Sequence, residues 1–219
     1  MAEFVVHTGA GSPFGRSVVA ALVEKGAAWR LSPIGRELFR TPEHLALHPF
    51  GRMPILEHRD FRLYETQAIL RYLDRVLPDP PLTPADPRAA AQMDLVMGVT
   101  DWYLFQGVCN VIGFHRVVAP RLMGALPDEA AIAAAMPKAR IVVAELARLL
   151  GEKPFMAGAA PTLADLHAGP QLAFLARTPE WAELAAGHPE LAGWLARLEE
   201  RPSFVASRWE SLEALAPAA

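Results

Sequence analysis

Phe4, Val5 and Val6 form a short apolar run, whereas Val18, Val19, Leu22 and Val23 recur at the three- and four-residue spacing of a helix face. The first pattern predicts a strand over "EFVVH" (3–7) and the second an amphipathic helix. Ser12-Pro13 opens that helix, Ser as the N-cap and Pro at the first helical position, and Gly26 closes it. "AAWRLSPI" (27–34) gives a weaker strand, and Thr41-Pro42-Glu43 starts a short helix or turn. "PILEH" followed by "FRLY" predicts a hairpin across His58-Arg59-Asp60. Ile69, Leu70, Leu73 and Val76 place Thr66–Leu77 in a helix that Pro78 stops. The predicted order is β-α-β-α-β-β-α.

The texture then changes. "PDPPLTPADP" (78–87) has too many prolines for a helix or a central strand and reads as an extended linker. It separates a first domain (1–78) from a second (88–219), with 79–87 as the linker. Past it only helical periodicity remains. Arg88–Arg116 is a long helix or a bent pair, and Asp128–Leu150 is another, with a break or kink expected at Pro137. Thr162 and Asp165 form a capping-box signal before the next apolar run, and helices near Pro189–Glu199 and Pro202–Leu212 complete an all-α half.

Hydrophobic residues make up 52% of the 219 and charged residues 21%, an ordinary globular composition long enough to bury a core in each half. A net charge of -3 with no basic cluster argues against a nucleic-acid partner. No stretch of 18 or more apolar residues runs uninterrupted and no leader pattern opens the chain, so a soluble protein without a membrane partner is expected. The single cysteine, Cys109, cannot form an internal disulfide; it suits a reducing compartment, the cytoplasm, and reads as a small buried hydrophobe.

Several residues invite a chemical reading beside a plain one. Pro54 heads an apolar run although it has no N–H for a ladder; it is either the first residue of an edge strand or part of a cis Met53–Pro54 bond, which would turn the Met53 backbone outward. Glu65 and Thr66 stand at a helix start, where an acid and an N-capping hydroxyl are favoured without any ligand. Ser12 is likewise a good N-cap. His44 and His48 have the i, i+4 spacing of a metal pair, but Pro49 ends any helix and no third ligand follows, so no metal is expected. Gly9-x-Gly11 lacks the rest of a phosphate loop and reads as a flexible turn.

"HPFGRMPILE" followed by "LYETQAILRYL" resembles the glutathione-binding signature of the cytosolic glutathione transferase superfamily, and the element order, the linker and "TLADL" fit the same superfamily along essentially the whole chain. "SPF" at Ser12 is similar to its bacterial, serine-type, phi- or zeta-like members. The resemblance implies a thioredoxin-like α/β domain followed by an all-α domain. It implies a homodimeric enzyme that joins the thiolate of glutathione, its co-substrate, to apolar electrophiles. A glutathione-dependent isomerase, dehalogenase or peroxidase, or a non-catalytic binding protein on the same fold, are the alternatives. Ser12 would activate the thiol as a hydrogen-bond donor, with the Phe14 backbone N–H as an alternative. The Met53 backbone, beside Pro54, would pair with the cysteinyl main chain. Glu65 would meet the ammonium and Thr66 the carboxylate of the γ-glutamyl end. Arg40 and Arg52 would meet the glycyl carboxylate, although phi-type relatives carry Lys and Gln there, and His48 stands where Asn is usual. Trp102, Tyr103, Phe105 and Phe114 fall in the region that faces the thiol in the family; by their spacing they are also ordinary core residues.

Magnitudes fit this division of labour. Holding a thiol of ordinary pKa, about 8.5, as thiolate at neutral pH takes about 2.7 kcal/mol. A hydroxyl hydrogen bond to a charged group supplies ~1.5–3 kcal/mol and a helix N-terminus ~0.3–1 kcal/mol.

Overall fold

The structure, a computed structural model, describes residues 3–215. The chain forms two compact units, one made of the residues up to Pro81 together with those from Glu200 onward, the other of Leu82–Glu199.

In the first unit the strands β1 (Phe4–Thr8), β2 (Trp29–Pro33), β3 (Ile55–His58) and β4 (Phe61–Tyr64) form a sheet in the order β2-β1-β3-β4. β1 and β2 are parallel, and β3 runs antiparallel to both β1 and β4. Phe4, Val6 and Thr8 are buried while Val5 and His7 are only partly so, the period of two that one covered face demands. α1 (Pro13–Glu24) buries Val18, Val19 and Leu22, and α3 (Thr66–Val76) buries Ile69, Leu70 and Leu73; these residues join Ile55 and Leu56 in the core. Gly26, at φ 61°, terminates α1 with two reversed bonds, Gly26 N–H to Val23 C=O and Ala27 N–H to Leu22 C=O, both at 3.0 Å. The β3–β4 turn is two residues long, with Arg59 at φ 59°. α2 (Pro42–Leu47) lies between β2 and β3.

The same unit receives the end of the chain. The predicted helix over Pro202–Leu212 is two helices, α9 (Pro202–Ala206) and α10 (Trp209–Leu215), separated at Ser207, whose hydroxyl donates to the Phe204 carbonyl. α9 packs on α1, and Arg201 clasps Glu24 with two bonds of 2.8 Å.

The second unit is helical. α4 (Pro87–Val99) continues into a second helical stretch, Thr100–Met123, which breaks at Gln106 and Gly107 (φ 84°). By length and composition alone Pro87–Met123 could cross a membrane, yet it contributes Met93, Met97, Leu104, Val108 and Ile112 to the buried interior of this unit. α5 (Glu129–Leu150), α6 (Leu163–Leu175), α7 (Glu180–Ala185) and α8 (Pro189–Glu199) complete it. Pro137 does not interrupt α5. The carbonyl it leaves without a helix partner belongs to Ala133, and both residues lie on the exposed side of the helix. The capping box forms as predicted. Asp165, at the start of the almost wholly buried α6, accepts from Thr162 N–H, Thr162 hydroxyl and Met156 N–H at 2.8 Å and from Trp194 Nε1 at 2.9 Å.

Candidate active site

Strand register gathers distant residues at one end of the sheet. Thr8 pairs with Pro33, His7 with Ile55, and Ile55 with Tyr64. The segments leaving these positions are therefore neighbours: Gly9–Ser12 after β1, the loop carrying Arg40 after β2, Met53–Pro54 before β3, and Glu65–Thr66 after β4.

Ser12 is the N-cap of α1, with extended backbone (φ −78°, ψ 115°), and its Oγ accepts from Gly15 N–H at 3.1 Å. A hydroxyl has one hydrogen to donate and two lone pairs. The cap uses a lone pair, and among the described residues the Ser12 O–H has no acceptor. Capping and donation to a ligand are thus compatible. Phe14, half-buried, lies in the same first turn. The turn sits close over β1 because Gly15 has no side chain; a Cβ there would collide with Thr8 Oγ1.

Met53–Pro54 is a cis peptide bond. Met53 Sδ accepts from Gly9 N–H at 3.0 Å, which ties the loop before Ser12 to the segment before β3. Neither the N–H nor the C=O of Met53 has a partner among the described residues. Across the hairpin, Glu65 is exposed, makes no side-chain cap bond, and holds φ at 69°, a region that L-residues rarely enter. Thr66, largely buried, is the first residue of α3, where backbone N–H groups have no helical partner and the dipole is positive.

Arg40 and Arg52 belong to different segments joined through His44. The buried His44 ring accepts from Arg40 N–H at Nδ1 (2.9 Å), and Nε2 lies 3.0 Å from Arg52 C=O. Arg40 is also left-handed, at φ 62°, and its stem crosses Gly51, the neighbour of Arg52: a Cβ on Gly51 would stand 2.9 Å from Arg40 Cγ. His48 is buried against Tyr64, ring centroids 4.5 Å apart, and accepts from Phe50 N–H at 3.3 Å. Burial first, and then the Arg52 charge, hold its pKa below the ordinary histidine value. The two histidines therefore brace a loop. No group of three metal-ligating side chains occurs among the described residues.

Residues 3–75 match the family model "Glutathione S-transferase, N-terminal domain", and residues 112–202 match "Glutathione S-transferase, C-terminal domain". A glutathione S-transferase of Hyoscyamus muticus is 30% identical over 203 residues, 91% of this chain and 94% of the relative. The chain belongs to the glutathione S-transferase family. Among solved structures, glutathione S-transferase I with lactoylglutathione bound aligns with a TM-score of 0.81 at 27% identity, covering 98% of this chain and 100% of that one. The theta-class glutathione S-transferase of Xanthomonas axonopodis pv. citri, with glutathione bound, aligns with a TM-score of 0.82 at 27% identity, covering 94% and 97%.

Other residues of this glutathione S-transferase depart from their sequence reading. Gly9-x-Gly11 is a close-packed turn and not a flexible one: a Cβ on Gly9 would stand 3.3 Å from Ile34 C=O and Met53 Sδ, and one on Gly11 would stand 2.7 Å from the Trp209 ring. Trp209 has no counterpart in the sequence reading, and His44, considered there only as a metal ligand, instead bonds the Arg40 and Arg52 backbones. The Trp209 contact joins residues far apart in the chain and has no local signal, whereas the "PEHLAL" helix pattern hinted that one side of α2 is buried. Of the four aromatics after the linker none is buried; Trp102 and Tyr103 are 72% and 55% exposed. Cys109 is fully buried, its Sγ 3.5 Å from Gln171 C=O, and burial pushes the thiol up, which keeps it protonated and inert.

Proposed function

We propose that this glutathione transferase joins the thiolate of glutathione to apolar electrophiles, with Ser12 as the group that stabilises the thiolate. The free Ser12 O–H at the head of α1 is the observation that carries this reading. The glutathione S–H gives its proton to solvent, and Ser12 donates its hydrogen to the resulting anion. The sulfur then bonds to the electrophilic carbon while the leaving group departs with its electron pair. The Phe14 N–H is the alternative donor.

The unpaired Met53 backbone supports an added-strand contact with the cysteinyl part of the tripeptide. Glu65 supplies a carboxylate for its ammonium, and the Thr66 hydroxyl and N–H lie where a carboxylate is favoured by the dipole. Arg40 and Arg52 offer two forks for the glycyl carboxylate. Neither has a carboxylate partner among the described residues. Residues 1–78 act as the glutathione-binding part, and the helical residues after the linker supply the apolar second site; no metal takes part. The protein works as a cytoplasmic homodimer in detoxification, and the exposed Phe50 (64%) and Leu45 provide apolar surface for a second copy.

The test is a spectroscopic titration of the thiol in the enzyme–glutathione complex, with conjugation of a chloronitroarene measured alongside. In the wild type the bound thiol titrates about two units below the free value of about 8.5, and Ser12→Ala raises it by at least about one unit while lowering kcat. An unchanged thiol pKa in Ser12→Ala would remove Ser12 from the mechanism and transfer the role to the Phe14 N–H. Retention on immobilised glutathione without turnover would leave a binding protein.

A further inference from the structure

We propose that His44 is a positioning residue for recognition of the glycyl carboxylate, acting through the backbones of Arg40 and Arg52; the inference rests on the assignment of that arginine pair given above. The His44 side chain is fully buried, and both ring nitrogens are engaged by backbone. Nδ1 receives the Arg40 N–H at 2.9 Å, so it carries no hydrogen. Nε2 therefore carries the hydrogen of the neutral ring and donates it to Arg52 C=O at 3.0 Å. One imidazole in one tautomer thus ties two segments twelve positions apart in sequence.

The tie matters because it reaches both arginine backbones at once, whereas the Phe39 ring meets only Arg40 and His48 only the segment before Arg52. Arg40 holds a left-handed φ of 62°, which a non-glycine residue keeps only when its surroundings enforce it. Its N–H bond to His44 is part of that enforcement. Arg40 Cγ and Nε also lie 2.9 and 3.3 Å from where a Gly51 Cβ would be, immediately before Arg52, so two like charges share a short stretch of surface without a carboxylate between them among the described residues. Two guanidinium groups that repel each other lose affinity for a shared anion if they are free to separate. Fixing both backbones from below, at a buried ring that never touches the ligand, presents the forks already spaced for a carboxylate.

Kinetics with glutathione and with its glycyl monoethyl ester, which lacks that carboxylate, separate positioning from general structural support. In the wild type the ester has the higher KM. His44→Ala raises the KM for glutathione about tenfold with kcat retained and leaves the KM for the ester unchanged. In an Arg40→Gln/Arg52→Gln background His44→Ala has no further effect. Should His44→Ala not fold, His44→Asn carries the test: its Oδ1 stands in for Nδ1 toward Arg40 N–H while the Arg52 bond is lost, so it gives an intermediate rise for glutathione and none for the ester. Equal rises for both thiols, or a wild-type preference that survives replacement of His44, overturn this inference alone. A wild type that does not distinguish glutathione from its ester overturns the arginine assignment and, with it, the role of His44.

Discussion

The ring of Trp209 lies against Gly11, and the missing side chain of Gly11 is what admits it. Trp209 is nearly buried and its Nε1 donates to Glu213 at 2.6 Å, which limits where the ring can go. A methyl group on Gly11 would come within 2.7 Å of the indole, so Gly11→Ala is expected to destabilise the first unit by about 1–3 kcal/mol, the range for overpacking. In a Trp209→Ala background the same substitution should cost less than about 0.5 kcal/mol. Urea unfolding of the four proteins of this cycle measures the coupling; equal costs in both backgrounds would show that the ring does not bear on the turn that leads to Ser12.

Acid should loosen the same attachment of the chain's end. Burial alone would raise the Glu24 carboxyl, but bonds from Arg201 and the Ser203 hydroxyl, and the Arg201 charge, outweigh it and hold the pKa below its ordinary 4.5. A carboxylate depressed in the folded state contributes stability that is complete above its unfolded value and is lost as pH falls through its folded value. Docking of residues 200–215 on α1 is therefore full above pH 4.5 and weakens below it. Glu24→Gln removes this dependence and costs about 1–3 kcal/mol at neutral pH. Tryptophan fluorescence and limited proteolysis of the C-terminal segment from pH 6 to pH 3 would detect the release; identical acid transitions in wild type and Glu24→Gln would rule it out.

These two attachments mark where the sequence stops being legible. The strands and helices of the first unit follow from local rules, since alternation at Phe4–Thr8, the Ser12-Pro13 start, Gly26, and the turn before Phe61 each act over a few residues. The candidate site was readable for the same reason: Ser12, Pro54, Glu65 and Thr66 stand at element ends, where caps and prolines leave signals. Gly11 with Trp209, Glu24 with Arg201, and His44 with Arg52 are side-chain and backbone meetings set by tertiary packing, and no periodicity records them. At Pro137 the expected break does not occur: α5 runs through it, with Pro137 and Ala133 both exposed.

Glu65 offers a way to separate stability from recognition. Its φ of 69° is strained for any residue with a Cβ, its side chain is exposed, and it makes no cap bond that would compensate. Glycine enters this region without the steric cost, so Glu65→Gly is expected to leave stability unchanged or raise it by up to about 1 kcal/mol. The same variant lacks the carboxylate proposed for the γ-glutamyl ammonium and should lose retention on immobilised glutathione. Glu65→Gln keeps the Cβ and the strain but not the charge; it should lose retention with no gain in stability. Thermal unfolding and glutathione titration of both variants check the pair of outcomes. A glycine variant that is clearly less stable would mean that Glu65 supports the fold through contacts its exposure does not suggest, and one that still binds glutathione normally would place the ammonium elsewhere.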